Sequence, residues 1–543
     1  MSEKLCTIGV DFGTESGRVL VLDLHSGEEL AAQVVPYAHG VIDRRLVGTD
    51  EPLPGDWALQ HPGDWTDVIE QGVPAAVAQA EISPERVTGF GVDFTSCTVL
   101  PADAEGVPLC LMPRWQGRRH AWPKLWKHHA AQRVADRLTE VAAERDEPFL
   151  ARYGGRISSE WYFPKLIELW DEDREVYEAC DVFLEATDWI VWWLTGRLVR
   201  QSTTAGYKAM WSPDEGLPPA AYFDAAYPGF DEPAEKLGTR FEPLGTRAGT
   251  LRPELASTLG LSDTVAVAVG NVDSFVSVPG AGVEQPRTFV MVIGTSICDM
   301  VVDPHEVRLP GITGVARDGI LPGLYGYEAG QAAVGDMLAW FVRTLGAGAS
   351  HEALEGEAAE IEPGASGLIA LDWFNGNRTI LADADLTGSI VGLTLQTTPA
   401  EIYRTLLESI AFGNRRIMDN FSEHDLGLDR IVACGGIAER SPLTMQIIAD
   451  VSGREVDVPA SAEVPARGAA LFGAVAAGAY ADIGSAVQAT RPAVARTYRP
   501  EPGAVATYER VYPIFAELHD LLGRSHAELL HELKRIRAER RGS

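Results

Sequence analysis

The sequence lacks the short motifs by which the commonest nucleotide-binding and metal-dependent enzymes are recognised. None of its seven lysines follows a glycine, which excludes a Walker A loop. No G-x-G-x-x-G opens a strand–helix unit and no H-E-x-x-H occurs, so a dinucleotide fold and a zincin site are disfavoured. The histidine pair His128–His129 is adjacent in sequence, and neighbouring helical residues do not face one another, so a metal site there is disfavoured too.

Positive charge is also scarce. The chain has 46 lysines and arginines against 77 aspartates and glutamates, a net charge of −31. This balance argues against nucleic acid and anionic membranes as partners. An anionic small molecule must then be held by local positive groups, because the field of the whole chain repels it.

Cysteines are few and scattered. The six are Cys6, Cys97, Cys110, Cys180, Cys298 and Cys434, with no C-x-x-C pair, which predicts reduced thiols in a cytoplasmic protein. The first residues contain no long apolar run, so we predict no signal peptide. The longest uncharged run of small residues, 468–480, is too short to span a bilayer and predicts a packed Ala-rich helix.

Length and apolar patterning predict two large α/β domains. A chain of 543 residues exceeds what one core usually serves, and we place the domains at 1–280 and 281–543. The second half repeats the order of the first: hairpin strands, a long loop, helices and a strand. The predicted elements are hairpin strands over 8–38, strands at 87–100, 265–269, 431–434 and 455–458, mostly helix over 120–200, irregular chain over 209–262, a helix with apolar face 443–451, and terminal helices over 509–537.

The most informative segment is IGVDFGTESGRVLVLD, residues 8–23. Two apolar runs flank the turn Gly13-Thr14-Glu15-Ser16-Gly17, which Arg18 follows. The N–H groups and hydroxyls of such a turn suit phosphate oxygens, and Asp11 at the strand end can hold the hydrated Mg²⁺ of a nucleotide. A hairpin with a polar turn is the alternative interpretation.

A second turn of the same kind lies at residues 290–303, VMVIGTSICDMVVD. It places Gly294-Thr295-Ser296 between apolar runs. One turn in each half predicts a duplicated fold that closes around one anion. Gly435-Gly436, after a predicted strand, allow close approach of a flat group such as adenine, although a tight turn before a helix is the alternative.

Several polar residues are candidates for chemistry. Asp273 follows a buried strand in a glycine-rich context, where a carboxylate can accept a proton from a hydroxyl; the alternative is a helix N-cap. The presence of the two predicted phosphate turns favours a role for Asp273 as a base over a role as an N-cap. Lys208 and Glu328 lie among small and apolar neighbours, where a buried charge needs a partner, so a structural ion pair is their alternative. The tip 96–98 and Gln60-His61 can bind sugar hydroxyls or simply form satisfied loops.

Over nearly the whole chain these motifs resemble those of the FGGY carbohydrate kinases. IGVDFGTESGR and VIGTSICDM resemble the two phosphate loops, and the runs at 157–170 and 327–341 resemble the two family signatures. Five further runs resemble members that act on L-ribulose: GVDFTSCT (91–98), LWKHHAA (125–131), SSEW (158–161), TAGYKAMW (204–211) and LDWFNGNRT (371–379).

The resemblance implies an α/β fold of two ribonuclease-H-like domains around a cleft, as in actin, the actin-like heat-shock chaperones and hexokinase. It implies sugar binding and the first phosphate loop in the N-terminal domain, and the second loop, adenine site and terminal helices in the C-terminal domain. It further implies ATP and Mg²⁺ as cofactors, phosphorylation of L-ribulose at its 5-hydroxyl in L-arabinose catabolism, and compatibility with a homodimer. D-ribulose, ribitol or L-xylulose as substrate is the nearest alternative.

The resemblance also implies roles for individual residues. Asp273 falls at the catalytic base, and Asp11 at the acid that holds Mg²⁺ through water. Ser96, Lys208 and Glu328 fall, with Asp273, at ketopentose contacts; Gly13, Thr14, Ser16 and Arg18 at the first phosphate loop; Gly294 and Thr295 at the second; Gly335, Gly435 and Gly436 on the nucleotide side.

Two departures from the pattern bear on substrate preference rather than on reaction class. Ser274-Phe275 stand where a small residue and histidine are frequent, and His128 stands where aspartate is common. Rival functions of other classes are an actin-like or chaperone-like ATPase, which hydrolyses ATP without sugar, and a sugar sensor without catalysis, which the presence of Asp273 disfavours.

Overall fold

The computed structural model describes residues 5–541 and contains two seven-stranded sheets with helices packed around them. The strands are β1 Cys6–Phe12, β2 Ser16–Asp23, β3 Glu29–Pro36, β4 Val87–Phe94, β5 Val99–Ala102, β6 Val182–Glu185, β7 Arg247–Thr250, β8 Ala266–Ala268, β9 Asn271–Val272, β10 Thr288–Ile293, β11 Ile297–Asp303, β12 Gly314–Arg317, β13 Tyr325–Gln331, β14 Ile369–Leu371, β15 Ser389–Val391, β16 Arg430–Cys434, β17 Val456–Pro459 and β18 Val494–Tyr498.

Helices fill the connections between the strands. The α-helices are α1 Pro62–Asp67, α2 Val73–Gln79, α3 Gln132–Glu144, α4 Tyr162–Glu172, α5 Arg174–Ala179, α6 Ala186–Thr195, α7 Ser202–Lys208, α8 Ala220–Ala226, α9 Pro253–Leu259, α10 Asp273–Gly280, α11 Gly335–Thr344, α12 His351–Ala359, α13 Pro399–Glu423, α14 Gly436–Arg440, α15 Pro442–Ser452, α16 Val464–Ala476, α17 Ile483–Thr490, α18 Pro502–Asp520 and α19 Ala527–Arg541.

Both sheets are built on the same central arrangement. The first runs β3-β2-β1-β4-β8-β7, with β9 also beside β4; the second runs β12-β13-β11-β10-β16-β17-β18. In each, the first strand pairs antiparallel with the second and parallel with a later strand: β1 with β2 and β4, β10 with β11 and β16. The predicted duplication of hairpins is therefore confirmed. The stretch 209–262 is less irregular than predicted, because it contains α8, β7 and α9.

The tetrapeptide Gly-Val-Asp-Phe occurs in both β1 and β4, and the two copies pair in register. Gly9 lies opposite Gly91 and Asp11 opposite Asp93. The next pair, Phe12 and Phe94, stack their rings with centroids 4.7 Å apart. Two carboxyl groups therefore stand side by side at the ends of neighbouring parallel strands.

Helix α16 lies in the second half of the sequence but packs on the first sheet and on α10. Its backbone is so close that a Cβ on Gly9 would lie 1.8 Å from the carbonyl oxygen of Ala466, and one on Gly91 would lie 1.9 Å from that of Ala469. On its other side, a Cβ on Gly468 would lie 1.9 Å from the carbonyl oxygen of Val276 in α10. The predicted Ala-rich helix is confirmed, and its composition follows from this contact.

The space between the two sheets is filled by one shared apolar core. It includes Val272 and Phe275 beside the first sheet, Val290 and Met300 of the second sheet, and Leu471 of α16. The two halves are therefore held together by burial of apolar surface as well as by the chain that links them.

Two further predictions concern thiols and membranes. All six cysteines are free, as predicted. Among the described residues, no helix combines the length and apolar character needed to cross a bilayer.

We predict that Gly91→Ala destabilises the fold by about 1–3 kcal/mol, the scale of overpacking, because α16 must move to admit the new methyl group. Thermal and denaturant unfolding measure this change. Gly55→Ala is the matched control, since no atom lies within 4 Å of its added Cβ. Equal stability of the two variants would contradict the packing argument.

Candidate active site

Three carboxyl groups meet where β1, β4 and β9 end. Asp11 and Asp93 occupy matching positions on adjacent strands, and Asp273 begins α10 directly after β9, which pairs with β4. Asp93 is completely buried, and its carboxyl group lies within hydrogen-bonding reach of that of Asp11. Burial and the neighbouring charge of Asp11 raise the pKa of Asp93 well above its usual range.

Asp93 was not among the residues that we predicted. The repeated Gly-Val-Asp-Phe is the sequence signal for it, because identical segments that pair in register bring their acids together. Carboxylate oxygens are the ligands that Mg²⁺ prefers, so the donor set around Asp11 and Asp93 fits this ion.

Arg18 connects the acidic centre to the second half of the chain. Its guanidinium lies 3.1 Å from the carboxylate of Asp11 and 3.4 Å from that of Glu463, the residue before α16. Burial, which outweighs the effect of Arg18, raises the pKa of Asp11, and burial raises that of Glu463 to about 7. Arg18 therefore lies where both halves can act on one anion.

The first predicted phosphate turn is a hairpin turn whose backbone is fixed from two sides. The N–H of Gly13 donates to the carbonyl of Ser16 at 3.0 Å. The indole of Trp126 donates to the hydroxyl of Thr14 at 3.1 Å, and the amide of Gln60 donates to the Thr14 carbonyl at 2.8 Å. The hairpin interpretation and a phosphate role are thus compatible, and Gln60 supports the turn itself.

His39, His61 and Asp64 lie near this turn with their ligand atoms within 4.8 Å of one another. The two imidazoles stack with centroids 4.2 Å apart and planes 10° apart, so their in-plane nitrogens do not point to a common ion. His39 Nδ1 lies 2.7 Å from Asp64, and His61 Nδ1 accepts from the N–H of Gly63. The three residues therefore stabilise the loop through hydrogen bonds and do not form a metal centre.

The second predicted turn is surrounded by glycines from three segments. Gly294 donates to the Ser296 carbonyl at 2.9 Å, and Gly335 at the start of α11 donates to the Gly294 carbonyl at 3.2 Å. Gly435 has φ +91° and approaches β10 so closely that a Cβ would lie 2.7 Å from the Ile293 carbonyl oxygen. Thr295 accepts from Val334 N–H at 2.9 Å through its carbonyl.

The structure thus gathers Gly294, Thr295, Gly335, Gly435 and Gly436 at one end of β10. No hydrogen bond or ion pair joins them to the turn 13–17 within the described part of the chain. Closure of the two turns around one anion stays a prediction.

Asp273 is not the N-cap of its helix. The N-cap is Val272, and the carboxylate of Asp273, the first helical residue, accepts from the N–H of Ser274 at 2.7 Å. Burial, followed by the charge of Asp11, raises the pKa of Asp273 to about 7, although Lys208 lowers it. This carboxylate is thus an acceptor that is held near an acidic centre and near a cation.

Lys208 and Glu328 are each other's partner. Lys208 ends α7 and Glu328 lies on β13, yet Nζ and Oε2 are 2.6 Å apart, and both side chains are buried. Burial alone lowers the pKa of Lys208, but the charge of Glu328 raises it to a net increase. The predicted alternative of a structural ion pair is confirmed. The pair joins the two halves of the chain, and its charges act on the pKa of Asp273.

The tip at 96–98, which contains Ser96, is held in place by a buried lysine that we did not predict. Lys165 donates from Nζ to the carbonyls of Cys97 at 2.7 Å and Leu125 at 2.8 Å. Burial without a contacting carboxylate lowers the pKa of Lys165 to about 8. Cys97 has φ +63°, a conformation that costs a non-glycine residue energy, so this support holds the backbone beside Ser96 in place.

The two departures from the family pattern have structural explanations. His128 is buried against Glu168 at 3.0 Å, and burial lowers the pKa of His128 to about 3. Phe275 is fully buried and packs on Tyr207, with ring centroids 4.6 Å apart. Both side chains are completely buried and therefore contribute to packing.

The structure consists of two repeated halves, here called lobes, and each has a glycine turn in its hairpin. Together with a candidate base near an acidic centre, this arrangement is typical of a two-lobed α/β phosphotransferase. Family models agree: the N-terminal domain model of the FGGY family of carbohydrate kinases matches residues 6–280, and the C-terminal domain model matches residues 289–477. The chain belongs to the FGGY family and is a carbohydrate kinase.

Curated relatives match almost the full length. A ribulokinase of Geobacillus thermodenitrificans is 48% identical, with 98% of this chain and 97% of the relative covered. A ribulokinase of Anoxybacillus flavithermus is 49% identical with the same coverage, and one of Mycolicibacterium smegmatis is 43% identical, again covering 98% and 97%.

Solved structures confirm the predicted fold class. A xylulose kinase from Rhodospirillum rubrum has a TM-score of 0.78 at 25% identity, with 96% of this chain and 99% of that chain covered. A Plasmodium falciparum glycerol kinase with ADP has a TM-score of 0.76 at 15% identity, with 94% and 98% covered. At these identities the likeness concerns the fold.

We predict a pH-dependent stability effect of Asp273→Asn. Because burial raises the pKa of Asp273 in the folded protein, the folded chain retains a proton that the unfolded chain loses, and this contribution to stability disappears as pH rises through about 7. The difference in unfolding midpoint between the variant and the wild type should therefore shift in favour of the variant as the pH rises from 4 to 8. Thermal unfolding with a chelator present measures this, with the exposed Asp263→Asn as control. A pH-independent difference would contradict the assignment.

Proposed function

We propose that the chain transfers the γ-phosphoryl group of ATP to the 5-hydroxyl of L-ribulose, as a step of L-arabinose catabolism. The observation that carries the proposal is the position of Asp273 at the start of α10, directly after β9, which pairs with β4; the charges of Asp11, Glu328 and Lys208 all act on its carboxylate. Full-length relatives named ribulokinase at 48–49% identity support ribulose as the sugar.

On the sugar side, Asp273 orients the 5-hydroxyl and accepts its proton late in the transfer. Lys208 and Glu328 offer a donor and an acceptor to the sugar hydroxyls, and Ser96 offers a hydroxyl from the tip that Lys165 supports. Positioning of this kind supplies much of the rate in phosphoryl transfer.

On the nucleotide side, Arg18 and the turns at 13–17 and 294–296 bind the phosphates, and Gly335, Gly435 and Gly436 leave room for the nucleotide backbone and base. Asp11, through water, and the adjacent Asp93 are the residues that would hold Mg²⁺, which supplies charge neutralisation when bound. Arg18 stabilises charge that develops on the transferring group.

The nearest alternative substrates are D-ribulose, ribitol and L-xylulose. Steady-state assays with ATP and a panel of pentuloses, pentitols and pentoses separate them. We expect the highest kcat/KM with L-ribulose, and little ATP hydrolysis without sugar because water is excluded when the lobes close. A higher kcat/KM with another sugar would replace L-ribulose as the proposed substrate. ATP turnover that no sugar of the panel increases would overturn the proposed transfer to a pentulose.

Asp273→Asn should lower kcat by about a hundredfold or more, the usual scale for loss of a general base, with a smaller change in the KM for ATP. Initial rates at saturating sugar measure this. Asp263→Asn removes an exposed carboxylate and should retain the wild-type rate. Near-normal turnover of Asp273→Asn would refute its role as the base.

A further inference from the structure

Glu463 is the N-cap residue of α16, but its side chain does not cap the helix. Its backbone carbonyl accepts a helical hydrogen bond from the N–H of Arg467 at 2.8 Å, while its carboxylate forms no capping bond. Side chains of N-cap residues usually accept from the next backbone N–H groups. Among the described residues, the ion-pair partner of this carboxylate is Arg18, whose Nε lies 3.4 Å from Oε2. The side chain of Glu463 thus makes its contact outside its own helix.

The backbone around Glu463 is fixed by two close contacts of α16. A Cβ on Gly280 in α10 would lie 2.1 Å from the carbonyl oxygen of the residue after Glu463, and one on Gly9 in β1 would lie 1.8 Å from that of Ala466. Strand β1 also carries Asp11, two residues after Gly9. The carboxylates of Glu463 and Asp11 therefore project from two parts of the fold that are packed directly against each other.

Arg18 is held between these two carboxylates. It pairs with Asp11 across the β1–β2 hairpin and donates from Nη1 to the Asp11 carboxylate at 3.1 Å. The same nitrogen lies against the first phosphate turn, since a Cβ on Gly13 would be 3.3 Å from it. Its Nη2 donates no hydrogen bond to any residue that the structure describes, and 37% of the side chain is exposed. The guanidinium is therefore held at two of its nitrogens and retains donors for a further anion.

Two contacts define the direction of these donors better than one. An arginine side chain has many rotamers, so a single hydrogen bond leaves its guanidinium free to turn. The bond to Asp11 fixes Nη1, and the contact of Nε with Glu463 restricts rotation about that bond. Donors that are oriented before the phosphates bind need no reorganisation when charge develops on the transferring group.

We propose that Glu463 is a positioning residue for the kinase reaction, which holds Arg18 in the orientation that binds the transferring phosphoryl group. This inference rests on the proposed function, in which Arg18 stabilises that group. Glu463 acts through Arg18 and is assigned no contact with either substrate. Because Glu463 precedes α16, the first phosphate site is complete only when α16 is packed on the first sheet.

The test is a double-mutant cycle on the full-length protein. Glu463→Ala should lower kcat/KM for ATP about 10- to 100-fold, the scale for misplacing a catalytic group, with nearly unchanged calorimetric affinity for the pentulose. In the background of Arg18→Met, the same substitution should cause a further loss of about twofold or less, because Glu463 acts through Arg18. Glu463→Gln, whose amide oxygen can still face the guanidinium, should recover part of the loss.

The same cycle is measured on the calorimetric affinity for MgATP without sugar, so it does not depend on residual activity of the Arg18 variant. Glu501→Ala is the matched control. Glu501 is also an N-cap glutamate without a capping bond, at α18, but it is exposed and forms no ion pair within the described part of the chain. This control should retain the wild-type kinetics.

Failure of the inference differs from failure of the proposed function. If the wild type phosphorylates a pentulose while Glu463→Ala keeps the wild-type kcat/KM, or loses equally with and without Arg18, the positioning role is wrong and the kinase assignment stands. A lower unfolding midpoint with equally weakened affinity for sugar and MgATP would also overturn it, because Glu463 would then support only α16. If the wild type phosphorylates no sugar of the panel, the proposed function fails and the inference fails with it.

Discussion

The structure depends on the close contact of α16 with β1, β4 and α10, which Gly9, Gly91 and Gly468 allow. A methyl group at Gly9 or Gly91 would overlap carbonyl oxygens of α16, so the contact exists only without side chains at those positions. The same helix follows Glu463, which reaches Arg18 in the first lobe. Because α10 begins with Asp273, the packing of α10 and α16 also fixes the candidate base relative to Asp11. The close packing of α16 therefore also determines the geometry of the candidate active site.

An acidic protein that binds an anionic nucleotide must place its few cations at particular positions. The carboxyl groups of Asp11, Asp93 and Asp273 are crowded at the ends of β1, β4 and β9, where burial raises their pKa values. Cations are placed individually: Arg18 lies beside Asp11, and Lys208 lies against Glu328. The net charge of −31 excludes general attraction of ATP, so affinity must come from these few local groups.

Local patterns made much of this structure predictable. The two glycine turns, the paired hairpins and the Ala-rich helix each have a signal within about fifteen residues. The pairing of Lys208 with Glu328 was left open, because their separation in sequence is bridged only by the tertiary fold. Lys165 and Glu463 were missed for the same reason, since carbonyls and an arginine from distant segments give them their roles. Asp93 had a signal in the repeated tetrapeptide, but only strand register makes it meaningful.

The Lys208–Glu328 ion pair has a consequence for the stability of the fold. Binding sites that hold unpaired charges usually reduce the stability of a protein until a ligand arrives. Here the two charges are each other's counterion, so the fold needs no ligand to balance them. A ligand that displaced one partner would have to replace the hydrogen bond of a formed pair, which would limit its net affinity.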